Sequence, residues 1–89
     1  MIIKIDKTFK KDTKLVNDKI LLSKIADCIE EIELTDNILS IKNLKKLKGN
    51  NKFYRIRLGD YRLGLQIVND TVEFIRCLHR KDIYKYFPK

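Results

Sequence analysis

Three runs, FYRIRL (53–58), YRLGLQIV (61–68) and TVEFIRCLH (71–79), are dense in β-branched and aromatic residues and stand only two residues apart each time. The separators, Gly59 with Asp60 and Asn69 with Asp70, are pairs that favour tight hairpin loops. This spacing leaves no room for a crossover connection, so the C-terminal half is constrained to an antiparallel meander. Whatever precedes it must cover one face of that sheet.

The preceding residues suit that task. Ile2, Ile3 and Ile5 predict a short first strand ended by Asp6 and Lys7. Residues 8–34 read as two helices with a break near 16–18, where Asn17 and Asp18 supply a junction and a cap. In the second helix, Ile20, Leu21, Ile25, Cys28, Ile29 and Ile32 form an apolar stripe at helical spacing, which is core. Residues 35–43 read as a connection leading into the basic run Lys42, Lys45, Lys46 and Lys48, terminated by 49–51. The tail KDIYKYFPK is too short for a helix that stands alone and must lean on the sheet. The expected architecture is α+β, in the order β-α-α-β-β-β, with two helices on one face of an antiparallel sheet and a short C-terminal tail.

With 89 residues, the chain has room for one domain, 1–89, which buries roughly 60–65% of its unfolded surface. Hydrophobic residues at 44% and charged residues at 36% are the proportions of a globular protein. No apolar run is long enough for a bilayer, and MIIKIDKTFKKD has charges where a signal peptide is apolar, so the cytoplasm is the expected location. Cys28 and Cys77 lie in apolar surroundings without disulfide spacing and read as reduced core residues. Cys77 with His79 offers at most two ligands, so neither a metal nor another cofactor is expected.

Charge is distributed unevenly. Residues 1–41 hold seven Lys/Arg against eight Asp/Glu, a net of −1, while residues 42–89 hold thirteen against four, a net of +9. Such asymmetry suits a phosphate-rich partner, since clustered cations gain from counterion release on nucleic acid.

A two-residue loop at Gly59 and Asp60 places Arg57 opposite Arg62 and Arg55 opposite Gly64. Tyr54, Ile56, Leu58, Tyr61, Leu63, Leu65 and Ile67 then share the face that the helices cover, and Arg55, Arg57 and Arg62 share the other. Two arginines directly opposite each other destabilise a free sheet by up to about 1 kcal/mol. Stability gives no reason for that choice; a bound polyanion does, because guanidinium makes bidentate, charge-assisted bonds to phosphate. For the third strand two registers are open. A two-residue loop puts Cys77 and His79 on the arginine face, and a three-residue loop that includes Thr71 puts Arg76 there instead. Arg80 lies just past the strand end in either case. His79 is the sole histidine, the side-chain type able to change charge near neutral pH, and is a secondary candidate beside a structural role.

At KLKG…FYRIRLGDYRLGLQI…LHRKDIYKYF the sequence resembles the RelE/ParE superfamily of toxins from type II toxin–antitoxin systems, and within it the RelE branch. The likeness is dense over 42–87 and consists, before that, of element order alone. It implies a metal-independent endoribonuclease that cuts mRNA, commonly in the ribosomal A site, and an acidic, amphipathic cognate antitoxin. Carried over by position, it implies that Arg55 and Arg57 are the basic pair of the family's second strand, that Arg62 is the arginine of Y-R-L, and that Arg80 and Tyr84 complete the catalytic set. Lys48 matches a further basic position, and Lys45, Lys46, Lys52, His79 and Lys81 are the accompanying RNA-binding candidates. The chain departs from the pattern in having arginine where some members have lysine at the strand pair, and in a shorter stretch between Arg80 and Tyr84. Arginine essentially cannot accept a proton, so the general base is left open among Lys48, Lys52, His79 and Tyr84. Two rival expectations are a ParE-like inhibitor of DNA gyrase and a non-enzymatic nucleic-acid-binding module.

Overall fold

The computed structural model describes residues 1–49 and 51–88; Asn50, in the turn expected to end the basic run, and Lys89 lie outside the described residues. The elements run β1 (Ile2–Ile5), α1 (Lys7–Lys14), α2 (Lys19–Leu34), a 3₁₀ turn (Ile38–Ser40), β2 (Leu44–Lys46), β3 (Phe53–Leu58), β4 (Tyr61–Val68), β5 (Thr71–His79) and α3 (Ile83–Tyr86). The five strands form one sheet in the order β1-β5-β4-β3-β2.

Local chemistry explains where the helices start. The Asp6 carboxylate accepts from the Thr8 N–H at 3.0 Å, and the Asp18 carboxylate accepts from the Ile20 and Leu21 N–H groups at 2.9 and 3.2 Å. Each satisfies donors that a first turn leaves open. The break between the helices therefore falls where Asn17 and Asp18 mark it.

α1 and α2 pack on one face of the sheet. Phe9, Leu21, Ile25 and Ile32 interlock with Ile56, Leu63, Leu65, Ile67, Val72, Phe74 and Cys77. Burying each large apolar side chain contributes about 1.5–3 kcal/mol. Of the expected α2 stripe, Ile20 is 70% exposed while its neighbour Leu21 is buried; the sheet-facing stripe runs through Leu21, Ile25 and Ile32, and Ile20 lies about 100° off it round the helix. Cys77 is buried and Cys28 half-buried, and neither is in a disulfide. Burial pushes both thiols up to about 11, which keeps them neutral and slow to react.

The architecture is α+β with the expected element order, and it adds three features. The basic run contains a strand, β2, paired antiparallel with β3 (Lys45 opposite Arg55). β1 lies parallel to β5 at the far edge, so the sheet is mixed rather than wholly antiparallel; the α1–α2 segment serves as part of the long connection that parallel pairing needs. The tail forms the one-turn α3 on the sheet face opposite α1 and α2. There Leu47, Ile83 and Phe87 make a second small core with Phe53, Ile75 and Leu78. That mini-core is how the tail leans on the sheet.

Candidate functional site

β3 and β4 pair in the expected register, with Arg57 opposite Arg62 and Arg55 opposite Gly64. Gly59 takes φ 56° at the first loop position, a conformation that glycine adopts without strain. The two strands thus present three guanidinium-bearing residues on the face that carries α3.

β5 resolves the open register by combining both alternatives. Its loop has two residues, with Val68 opposite Thr71, but a bulge leaves Ile75 unpaired, so that Leu65 faces Phe74 and Gly64 faces Arg76. Beyond the bulge the pairing is the one a three-residue loop produces: Cys77 and His79 turn to the helix-covered face, opposite Leu63 and Tyr61, and Leu78 lies opposite Arg62. Arg80 follows on the arginine side, its N–H bonded to the Asp60 carbonyl at 2.8 Å.

Arg55, Arg57, Arg62 and Arg80 converge. Burial first, then the charges of Arg55 and Arg57, and more weakly Arg80, hold the Arg62 guanidinium below its ordinary value, while the nearby Tyr84 phenol acts in the opposite direction. Arg62 remains a cation, since guanidinium does not lose its proton in proteins. Its Nη1 donates to the Gly59 and Tyr61 carbonyls at 2.8 and 2.9 Å, which fixes it across the hairpin turn. Arg55 Nη1 donates to the Asn43 carbonyl at 3.0 Å, and its buried Nε has no hydrogen-bond partner. Among the described residues, Arg55, Arg57 and Arg62 have no carboxylate at ion-pair distance; Arg80 Nε is 4.0 Å from an Asp60 oxygen, with both side chains well exposed. A solvent-exposed pair at that separation contributes little and yields readily to a stronger anion.

Tyr84, 63% exposed on α3, completes the cluster. It shares an open groove of about 390 Å³ with Lys45, Lys46, Lys48, Leu47 and Phe87. Lys45 is on the arginine face through its pairing with Arg55, whereas Lys46 pairs with Tyr54 and reaches the groove only around the sheet edge. Lys52 lies at the opposite end of β3, its ammonium 5.7 Å from the Phe53 ring centroid, roughly 16 Å along the strand from Arg57. His79 does not join the arginines. Its ring packs against Tyr61 at 5.6 Å and its Nδ1 accepts from the Lys81 N–H at 3.2 Å. Lys81 itself is exposed in the turn beside Arg80.

Two contributors escaped the sequence reading. Asn43, at φ 62°, supplies the carbonyl that holds Arg55. Gly64 forms the seat of Phe87: a Cβ there would stand 2.8 Å from the ring. The sequence places glycine opposite Arg55; that the Phe87 ring occupies the space above it is visible only in the fold.

The same assembly of strands and helices occurs in known proteins. A family model described as the ParE toxin of type II toxin–antitoxin systems (parDE) matches residues 3–84. Toxin RelE3 of Methanocaldococcus jannaschii is 46% identical over 83 residues, which cover 92% of this chain and 93% of that protein. The chain is a RelE-type toxin of the RelE/ParE superfamily. The RelB–RelE antitoxin–toxin complex from Methanococcus jannaschii contains a chain that superposes with a TM-score of 0.81 at 43% identity, covering 96% of this chain and 99% of that one. The YoeB dimer from Staphylococcus aureus, at 23% identity and a TM-score of 0.71, covers 90% and 97% and shares the fold. No helix among the described residues of this RelE-type toxin is long and apolar enough to cross a membrane.

Proposed function

We propose that this RelE-type toxin is an endoribonuclease that cuts mRNA at the ribosome, in the cytoplasm, without a metal ion. The observation that carries this reading is the convergence of Arg55, Arg57, Arg62 and Arg80 beside Tyr84, with carboxylates all but absent from the cluster. A solvated basic surface has no need to press four cations together.

RNA brings its own nucleophile. The 2′-OH lies next to the scissile phosphate, so the protein's task is to hold it in line and to stabilise the charge that builds on the phosphoryl oxygens. Fixed guanidinium groups perform that second task without reorganising during the reaction. Arg57, Arg62 and Arg80 bind the phosphate, and Arg55, anchored on Asn43, keeps the local potential positive. Tyr84 stacks on a neighbouring base or orients the hydroxyl. Of the four groups among which the general base was left open, Lys48 and Tyr84 line the groove beside the arginines; Lys52 is remote and His79 faces away. The products are a 2′,3′-cyclic or 3′-phosphate and a 5′-OH. Lys45 and Lys48 extend the cationic track, with Lys81 at its other end.

The solved relative from Methanococcus jannaschii is an antitoxin–toxin complex, and a cognate acidic, amphipathic antitoxin is the partner we assign to this chain. The test is expression of the wild type and of an Arg57→Ala/Arg80→Ala variant, with mapping of RNA ends on translated and free mRNA. Each single substitution should slow cleavage by about 10²-fold, and the double variant should fold and lose toxicity. DNA breaks without cut mRNA would favour gyrase poisoning instead, and strongly salt-dependent binding with no product would favour a passive RNA-binding module.

A further inference from the structure

Asp12 is the one charged side chain buried among the described residues, and it belongs to α1, on the far side of β5 from the arginine cluster. Its carboxylate is fully engaged. Oδ2 accepts from Arg76 Nε at 2.8 Å and from the Cys77 N–H at 2.9 Å, and Oδ1 accepts from Arg76 Nη2 at 3.2 Å. The Cys77 bond alone ties α1 to the strand where β1 has ended. Holding Arg76 in two-point geometry does something more: it fixes the guanidinium 5.9 Å from the centroid of the Tyr86 ring, within cation–π range. Tyr86 is two residues beyond Tyr84, on a four-residue helix that cannot sustain itself. Ile83 and Phe87 pin that helix from below, and Tyr86 is its lateral contact.

We infer that Asp12, acting through Arg76 and the Tyr86 ring, is a positioning residue that sets the orientation of α3 and so places Tyr84 beside the arginines. The consequence for catalysis rests on the ribonuclease reading; the consequence for α3 does not.

Two measurements separate them. Amide exchange of Lys85 and Phe87, whose N–H groups bond to Asp82 and Ile83 at 3.0 and 2.8 Å, should speed up about fivefold or more in Asp12→Asn, which loses the two-point hold on Arg76, in Tyr86→Leu and in Arg76→Met, and stay unchanged in Tyr86→Phe, which keeps the ring. In cleavage assays Tyr86→Leu should lower kcat about tenfold and Tyr86→Phe should leave it within about twofold of the wild type. In a Tyr84→Ala background the same Tyr86→Leu change should cost less than about twofold, because both act through one group. Unaltered exchange in a folded Tyr86→Leu protein overturns the inference, as does a tenfold loss that recurs undiminished without Tyr84. A wild-type protein that cuts no RNA overturns the proposed function, while the exchange result still decides the placement of α3.

Discussion

Arg57 and Arg62 face each other across β3 and β4, and among the described residues neither has a carboxylate at ion-pair distance. Like charges in that relation destabilise a sheet by up to about 1 kcal/mol, so Arg57→Gln should raise the urea midpoint of unfolding while slowing cleavage by about 10²-fold. A mutation that stabilises and inactivates together marks a residue kept for its chemistry. Gly64 illustrates the opposite case. Its missing side chain is the space Phe87 occupies, and Gly64→Ala would bring a carbon to 2.8 Å from the ring. The expected loss is about 1–3 kcal/mol of stability from overpacking, measurable by thermal melting, with a further loss of cleavage because Phe87 anchors the segment that carries Tyr84. Residue identity alone gave away the arginines, since strand alternation and one tight turn are enough to put Arg55, Arg57 and Arg62 on one side. His79 was undecidable by the same reasoning, because its face depends on a bulge that no glycine or proline announces. The only trace in the sequence is Phe74 next to Ile75, two apolar residues in a row where alternation calls for one.

At the level of elements, legibility followed the range of the interaction. The hairpins and both helix caps depend on residues close in sequence, and all stand where local chemistry puts them. β2 was hidden because a three-residue edge strand reads as a lysine run; its Lys45 and Lys46 are the charges that keep an edge from pairing with other chains. The parallel pairing of β1 with β5 joins residues 69 apart, Ile2 with Thr71, and nothing local encodes it. α3 belongs to the same group. Its four residues have no helical stability of their own, and it exists because Ile83 and Phe87 reach the mini-core.

Considered as a whole molecule, the toxin is asymmetric: helices and the main core on one side of the sheet, the arginine cluster and an aromatic-rich turn on the other. The proposed engagement of single-stranded RNA through Arg57, Arg62 and Arg80 predicts that log K falls with log salt at a slope of about −2; titrations of a non-cleavable 2′-deoxy oligonucleotide at several salt concentrations check this. Replacing Arg57 by Gln should flatten the slope by about 0.7, one phosphate's worth. The unpaired Ile75 has a final implication for how much damage this chain can absorb. Because β5 contains one residue more than its neighbour, cutting out that residue would close the ladder into a plain one and leave Arg80, Leu78 and Cys77 on their present sides. Losing one residue between Ile75 and Arg80 instead would invert everything between the cut and the bulge relative to the rest. The middle of a strand, ordinarily the worst place for a deletion, here contains one position outside the ladder, and a deletion scan across 72–79 should find it as the least damaging point, its remaining cost being the contact Ile75 makes with the small core under α3.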